Sequence, residues 1–327
     1  MRILYITSGH KRIYSYIDRC IVTYFQKLSI PVKTFHPFDT LAKLQGIIQS
    51  FRPTLVLTVN GDKISKGKII YLKNTNIERA VWLTEDPYYI DRSQHLIKDY
   101  QYVFTIDKAA ELYYKKLGFQ KTYHLPLGTD TQTFKPIQVN EKHKTQICMV
   151  GFPYKNRIQI IKRILTETPY NVTVVGRWKD VFEPHILKNR RLSIYNGWFE
   201  PKIVSTFYNG AYININTLRP FDEDKNENHT GIKNKSVNNR IFDISACNAF
   251  QLMQNADDLY EYFSEDEIVT FSDEGDLINK IYTYIKNKDE TASYSMKAYK
   301  KTTENHTFEN RLKTIISCID SGKTKHL

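Results

Sequence analysis

Short runs of β-branched and aromatic residues alternate along this chain with longer amphipathic stretches, and the alternation stops once and then begins again. No other feature restricts the fold as much. In the first half, 2–7, 32–35, 54–59, 79–83, 102–105 and 122–125 read as strands, with helices over 12–27, 39–50, 65–73, 92–99 and 108–116. Apolar strands joined by helical crossovers predict a parallel sheet buried on both faces, which binds ligands beyond the C-terminal ends of its strands. Residues 136–144 are polar and aperiodic and read as a linker. Beyond them 146–150 runs into Gly151 as the first strand runs into Gly9, and 172–175, 192–195, 212–215, 249–253 and 268–271 continue the series. Helices are expected over 158–165, 201–208, 238–246 and 274–287, then a helical tail over 289–321 broken near Asn305-His306. The polar stretch 218–236 is expected as a mobile loop over a site. The architecture predicted is α/β: two Rossmann-like parallel-sheet domains, 1–138 and 139–304, with 305–327 as a last helix.

A chain of 327 residues can bury two cores of ordinary size, so folding needs no disulfide or metal. Cys20, Cys148, Cys247 and Cys318 lie far apart, with no Cys-x-x-Cys and no cluster at zinc spacing. This suits a reducing compartment and excludes a disulfide-dense or zinc-ribbon scaffold. No apolar run approaches the roughly 20 residues of a membrane span. The stretch from Met1 to Gly9 is too short for a signal-peptide core, so the chain reads as cytoplasmic. The net charge of +12 is uneven: residues 1–140 carry 20 Lys and Arg against 11 Asp and Glu, the remainder 27 against 24. A basic first half admits a polyanionic partner, whether nucleic acid, an anionic membrane surface or an acidic acceptor. The joint abundance of Ile, Lys, Asn, Tyr and Phe, with no Lys/Arg block, fits a solvated basic surface better.

The phosphate-binding loop of ATPases, Gly-x-Gly-x-x-Gly, His-Glu-x-x-His and Gly-x-Ser-x-Gly are all missing, which removes the usual signals of ATPases, simple dehydrogenases, zinc hydrolases and serine hydrolases. What remains is one strand-end glycine turn in each half, Gly9 and Gly151, expected to face each other across a cleft. Such turns leave N–H groups and a helix N-terminus for an anion, although single glycines also end strands that bind nothing. Lys155 and Arg157 follow the second turn with charge suited to a pyrophosphate, and Asn216 ends a later strand. Arg240 and Asp243 share a helix face. An arginine fork can hold a phosphate and a carboxylate the hydroxyls of a ribose; the same spacing also describes a surface ion pair worth only a few tenths of a kcal/mol.

Three stretches resemble the CgeB-like glycosyltransferases, a group of spore-maturation and related bacterial proteins with the two-Rossmann GT-B fold. They are Trp82-Leu-Thr-Glu85-Asp86-Pro87, Arg240-Ile-Phe-Asp243, and His306-Thr-Phe-Glu-Asn-Arg311, which is close to the family's His-Thr-Tyr-x-x-Arg. With Gly151 to Arg157 and Gly176-Arg-Trp178, the likeness spans most of 80–312. Asp243 stands where the family has Glu, and Asn248 where its Ala-Cys-Gly turn has glycine; Asn tolerates the left-handed geometry such a turn needs.

The resemblance implies transfer of a sugar from a nucleotide diphosphate, with UDP expected, to an acceptor; the basic first half makes a polar or anionic one expected, such as a carbohydrate or glycoprotein, and no cofactor is expected. The resemblance also implies a C-terminal helix that crosses back to the first domain. Gly151, Lys155, Arg157, Asn216, Arg240 and Asp243 are the expected donor residues, with Trp178 or Tyr195 flanking the base. Gly9 and Tyr88 are expected on the acceptor side, with Asp86, Glu85 or His10 as general base. Asp222-Glu-Asp224 matches the Asp-x-Asp metal motif of the GT-A fold, but its polar surroundings read as a solvated acidic loop, and no metal is expected. Two rival readings are a non-catalytic nucleotide-sugar-binding or spore-surface protein, suggested by Asp243 and Asn248, and a DNA-directed glycosyltransferase, suggested by the basic first half.

Overall fold

The computed structural model describes residues 1–324 and contains each of the predicted strands, all in parallel pairings. The chain divides into two compact units: Met1–Gly128 with 224–236 and the segment from Phe308 onward, and Thr129–Glu223 with Val237–Thr307.

The first unit runs β1 (Ile3–Ile6), α1 (Ile13–Lys27), β2 (Val32–Phe35), α2 (Leu41–Phe51), β3 (Leu55–Val59), α3 (Lys66–Lys73), β4 (Glu78–Leu83), α4 (Ile90–Leu96), β5 (Tyr102–Thr105), α5 (Lys108–Lys116), β6 (Thr122–His124). Its sheet order is β2-β1-β3-β4-β5-β6. The chain moves outward from β1 to β2 and then returns to the other side of β1, so the direction of winding reverses between β1 and β3. Leu4, Ile6, Val56, Val81 and Val103 pack on one face with Leu44 and Leu72, and Ile3, Tyr5, Leu57, Ala80 and Trp82 on the other face are buried as well, which is why these strands are apolar without alternation.

The second unit runs β7 (Thr145–Val150), α6 (Lys155–Glu167), β8 (Val172–Gly176), α7 (Pro184–Leu187), β9 (Leu192–Asn196), α8 (Pro201–Gly210), β10 (Ala211–Asn216), α9 (Arg240–Ala246), β11 (Gln251–Gln254), β12 (Val269–Phe271), α10 (Glu274–Tyr284), α11 (Lys288–Asn305). Its order, β12-β11-β10-β7-β8-β9, is that of a dinucleotide-binding sheet, with the reversal between β7 and β10. The final helix, α12 (Phe308–Thr324), belongs to the first unit, where Phe308 stacks on Tyr24 of α1 and Arg311 Nε donates to the Pro126 carbonyl at 2.8 Å.

Two expectations shift. The first unit ends at Gly128, ten residues before the predicted boundary at 138. Thr129 already bonds within the second unit, its N–H donating to His306 O at 2.9 Å, and the polar stretch that reads as a linker is held there too, with Ile137 N–H on Asn209 Oδ1. The insertion at 218–236 is also not a plain loop. Its part from Asp224 to Ser236 packs in the first unit, where Asp91 accepts from His229 and Thr230, and Asp107 accepts the N–H groups of Lys235 and Ser236.

Candidate active site

In open α/β sheets ligands sit outside the strand C-termini where the winding reverses. In the first unit that point lies between β1 and β3, and there a cavity of about 370 Å³ opens. Its chemistry comes from the two loops beside it. Asp18 on α1 accepts from Ser8 N–H (3.0 Å), Ser8 Oγ (2.8 Å) and Tyr5 OH (2.5 Å), folding the loop after β1 so that His10 reaches the cavity. After β3, Asn60 and Gly61 both take left-handed backbone and bring Asp62 to His10, with Nε2 2.9 Å from Asp62 Oδ1. An ionised carboxylate only accepts, so Nε2 carries the proton and Nδ1 is the basic nitrogen. Beside this dyad Tyr14 donates to Glu85, and the His10 and Tyr14 rings lie 5.1 Å apart. Burial, then the Glu85 carboxylate, holds the Tyr14 phenol protonated well above its usual range.

Glu85 and His10 therefore line the cavity as expected of base candidates, but Asp86 does not. It is 1% exposed, and its Oδ2 accepts from Thr105 Oγ1 (2.8 Å) and Tyr114 OH (3.0 Å). It braces the turn from below and cannot meet an acceptor. Gly9 and Tyr88 shape the loops without lining the cavity, which takes Tyr89 instead. Asp62 and Glu227 escape the sequence reading. Glu227 arrives from the insertion, pairs with Arg92, and exchanges backbone bonds with Tyr88 and Asp91.

In the second unit the reversal lies between Gly151, after β7, and Asn216, the end of β10. Gly151 and Gly176 are pressed together: a Cβ on Gly176 would stand 2.2 Å from Gly151 O. Arg240, at the start of α9, lies beside Gly151. Its Nη1 donates to Asn216 Oδ1 at 3.1 Å and approaches Thr217 O at 3.4 Å, and its Nη2 is 3.6 Å from where a side chain at Gly151 would begin. Asn216 is fixed in turn by Gln251 and Asn238, so it positions the guanidinium while itself fully buried. Lys155 is exposed at the first position of α6.

Four donor expectations are corrected. Arg157 is 2% exposed, its Nε on Thr217 Oγ1 (2.8 Å) and Nη1 on Phe152 O (2.9 Å), so it ties the β10 end to the glycine turn and does not reach a phosphate. Trp178 is completely buried, stacked on Phe182 with its indole N–H on Gly151 O at 3.1 Å, and cannot flank a base. Tyr195 packs edge-on against Phe207 at 4.5 Å, its hydroxyl on Lys142 O. The Gly151 N–H is likewise committed, donating to Val175 O. Asp243 is buried and accepts from Thr129 Oγ1 (2.8 Å) and Asn239 Nδ2 (3.1 Å). Asn248 takes φ +52°, the left-handed turn expected of it. Asp222 and Asp224 are exposed.

Burial pushes the Asp86 carboxyl up to about 6 and Asp243 up to about 7, hydroxyl donors offsetting part of the effect at both and Arg240 a further part at Asp243. A carboxyl raised in the folded state favours folding when protonated, so this stability is complete below about pH 4 and lost as pH rises through 6 to 7. Asp86→Asn should therefore gain on the wild type between pH 4 and 8, by on the order of 3 kcal/mol for a two-unit shift. Thermal melts across that range should show the two curves converging or crossing. Parallel curves would mean that folding does not raise the Asp86 carboxyl.

A glycosyl transferase-like family model matches residues 157–317. Spore protein CgeB of Bacillus subtilis (strain 168) is 34% identical over 310 residues, which cover 94% of this chain and 96% of that protein. Among solved structures, sucrose-phosphate synthase from Thermosynechococcus elongatus matches with a TM-score of 0.68 at 10% identity, over 100% of this chain and 98% of the other. Anabaena HepE in complex with UDP and glucose matches with a TM-score of 0.65 at 15% identity, over 98% and 100%. These structures share the GT-B fold of two parallel sheets. Among the described residues no helix is long and apolar enough to cross a membrane.

Proposed function

The chain belongs to the CgeB family and is a GT-B glycosyltransferase, and on that premise we propose that it moves a sugar from a UDP-linked donor bound by the second unit to a hydroxyl of a polar acceptor bound in the first unit. The observation that carries the donor half is Arg240, held by Asn216 and Thr217 beside Gly151 at the reversal point of a dinucleotide-type sheet. HepE, which shares the fold, was solved with UDP and with UDP-glucose.

As the bond from the sugar C1 to the diphosphate oxygen breaks, negative charge collects on the leaving group. A pre-fixed guanidinium stabilises it without reorganisation, and Lys155 adds a second cation. Asp243 keeps a further lone pair on each oxygen for a ribose hydroxyl. As the acceptor oxygen bonds to C1, its proton passes to His10 Nδ1, and Asp62 steadies the imidazolium. The free cysteines support a cytoplasmic setting, and the relative's name supports a role in spore formation.

Arg240→Ala should weaken UDP binding roughly 10- to 100-fold, as for loss of a charged hydrogen bond, and leave uridine nearly untouched. Calorimetry with both ligands tests this, and equal losses would make Arg240 merely structural. Turnover should survive EDTA and the paired change Asp222→Ala with Asp224→Ala, since these cations replace a metal. Activity lost in chelator and restored by manganese would end that claim. Absence of any UDP-sugar turnover, with UDP bound, would favour the non-catalytic reading.

A further inference from the structure

The pocket of the first unit has a charge opposite to that of the chain around it. The chain carries +12. Yet three carboxylates, Asp62, Glu85 and Glu227, line the cavity against a single arginine, Arg92, and no lysine among the described residues. That arginine is already engaged: Nε donates to Glu227 at 3.2 Å, Nη2 bonds the same carboxylate, and Nη1 lies 4.0 Å from Asp62. Lys63, outside the lining, stands 3.4 Å from Asp62.

A phosphate or carboxylate entering here would face Asp62, Glu85 and Glu227 and would have to draw Arg92 from Glu227 to gain a cation. Three carboxylates against one arginine leave this wall with an excess of charged acceptors. Carboxylates only accept, and each oxygen has room for more than one donor. Sugar hydroxyls supply neutral donors, and a sugar ammonium supplies charged ones of about twice the strength. Leu83, Leu96 and the rings of Tyr14 and Tyr89 provide the apolar surface that the C–H face of a sugar needs, within a volume of about 370 Å³.

Resting on the glycosyltransferase reading above, we propose that this pocket accepts neutral and amino-bearing sugars and rejects phosphorylated and uronic ones, with Glu227 setting the preference. Glu227 reaches the pocket only through the insertion that follows β10, so acceptor choice depends on a segment inserted between β10 and α9 of the second unit. The expected acceptor is thus narrower than the polar or anionic class that the basic first half suggests.

Four probes on the full chain test this by ligand-observed NMR or calorimetry: glucose, glucosamine, glucose 6-phosphate and glucuronate. Glucosamine should bind about tenfold more tightly than glucose, and both anions should bind more weakly than glucose. Glu227→Gln should erase the advantage of the amine and strengthen glucose 6-phosphate about tenfold, because Arg92 is released. The proposal falls if either anion binds the wild type as tightly as glucose, or if none of the four binds. UDP titrated into the same protein reports the donor half separately. Glucosamine binding without UDP binding would sink the donor assignment and leave the pocket's preference standing; UDP binding with an anion preferred would do the reverse.

Discussion

His10→Ala should lower kcat for sugar transfer by about 10²- to 10⁴-fold, the usual worth of a positioned general base, and leave the Kd for UDP unchanged. The reason lies in the dyad. Asp62 fixes the Nε2–H tautomer and leaves Nδ1 for the acceptor proton, so both residues are needed although only His10 takes the proton. Asp62→Asn should therefore be as damaging as the loss of the imidazole, because a carboxamide can donate to Nε2 and stabilise the wrong tautomer. Asp62→Ala should be milder. Glu85→Gln discriminates further: if Glu85 is the base, this variant and not His10→Ala will lose its turnover. Steady-state kinetics with matched UDP titrations reads all four variants. A His10→Ala enzyme with wild-type kcat would remove the dyad from the reaction.

Much of this arrangement is legible in the amino-acid order, and what is hidden has identifiable causes. The twelve strands can be read because a doubly covered parallel strand must be apolar throughout, as in Ile3–Ile6 and Leu55–Val59, while its connecting helices keep one polar face. Strand ends are then visible too, and ligands gather at strand ends, which is why His10, Glu85 and Asn216 stand out; Arg240 stands out by sharing a helix face with Asp243. Asp62 lies at a strand end as well. Its importance depends on β3 pairing with β1, and sheet order is not written in any local pattern. Arg157 and Trp178 mislead for another reason. A cation and an aromatic beside a glycine turn suggest a ligand, but which face of the turn they occupy is decided by packing, and here both point inward. Glu227 is hidden by distance: it bonds Arg92, 135 residues earlier, through an insertion whose polar composition says nothing about where it docks.

Gly176→Ala should destabilise the protein and abolish UDP binding at once, because one glycine supports both. Its φ of +145° is strained for any side chain, costing about 1–3 kcal/mol. A Cβ there would also fall 2.2 Å from Gly151 O and 3.0 Å from Trp178 Nε1, on the hydrogen bond that locks the two turns together. Backbone and a fully buried indole cannot retreat cheaply, so overpacking adds about 1–3 kcal/mol more. The sum is roughly 2–6 kcal/mol, and the displaced part is the Gly151 turn beside Arg240. Gly197→Ala is the control, since φ at Gly197 is +132° but nothing lies within 4 Å of its Cβ position. It should cost only the strain and retain UDP affinity. Denaturant melts and UDP titrations of the two variants separate strain from collision. Equal destabilisation with UDP still bound by Gly176→Ala would show that the second unit holds its donor without this pair of turns.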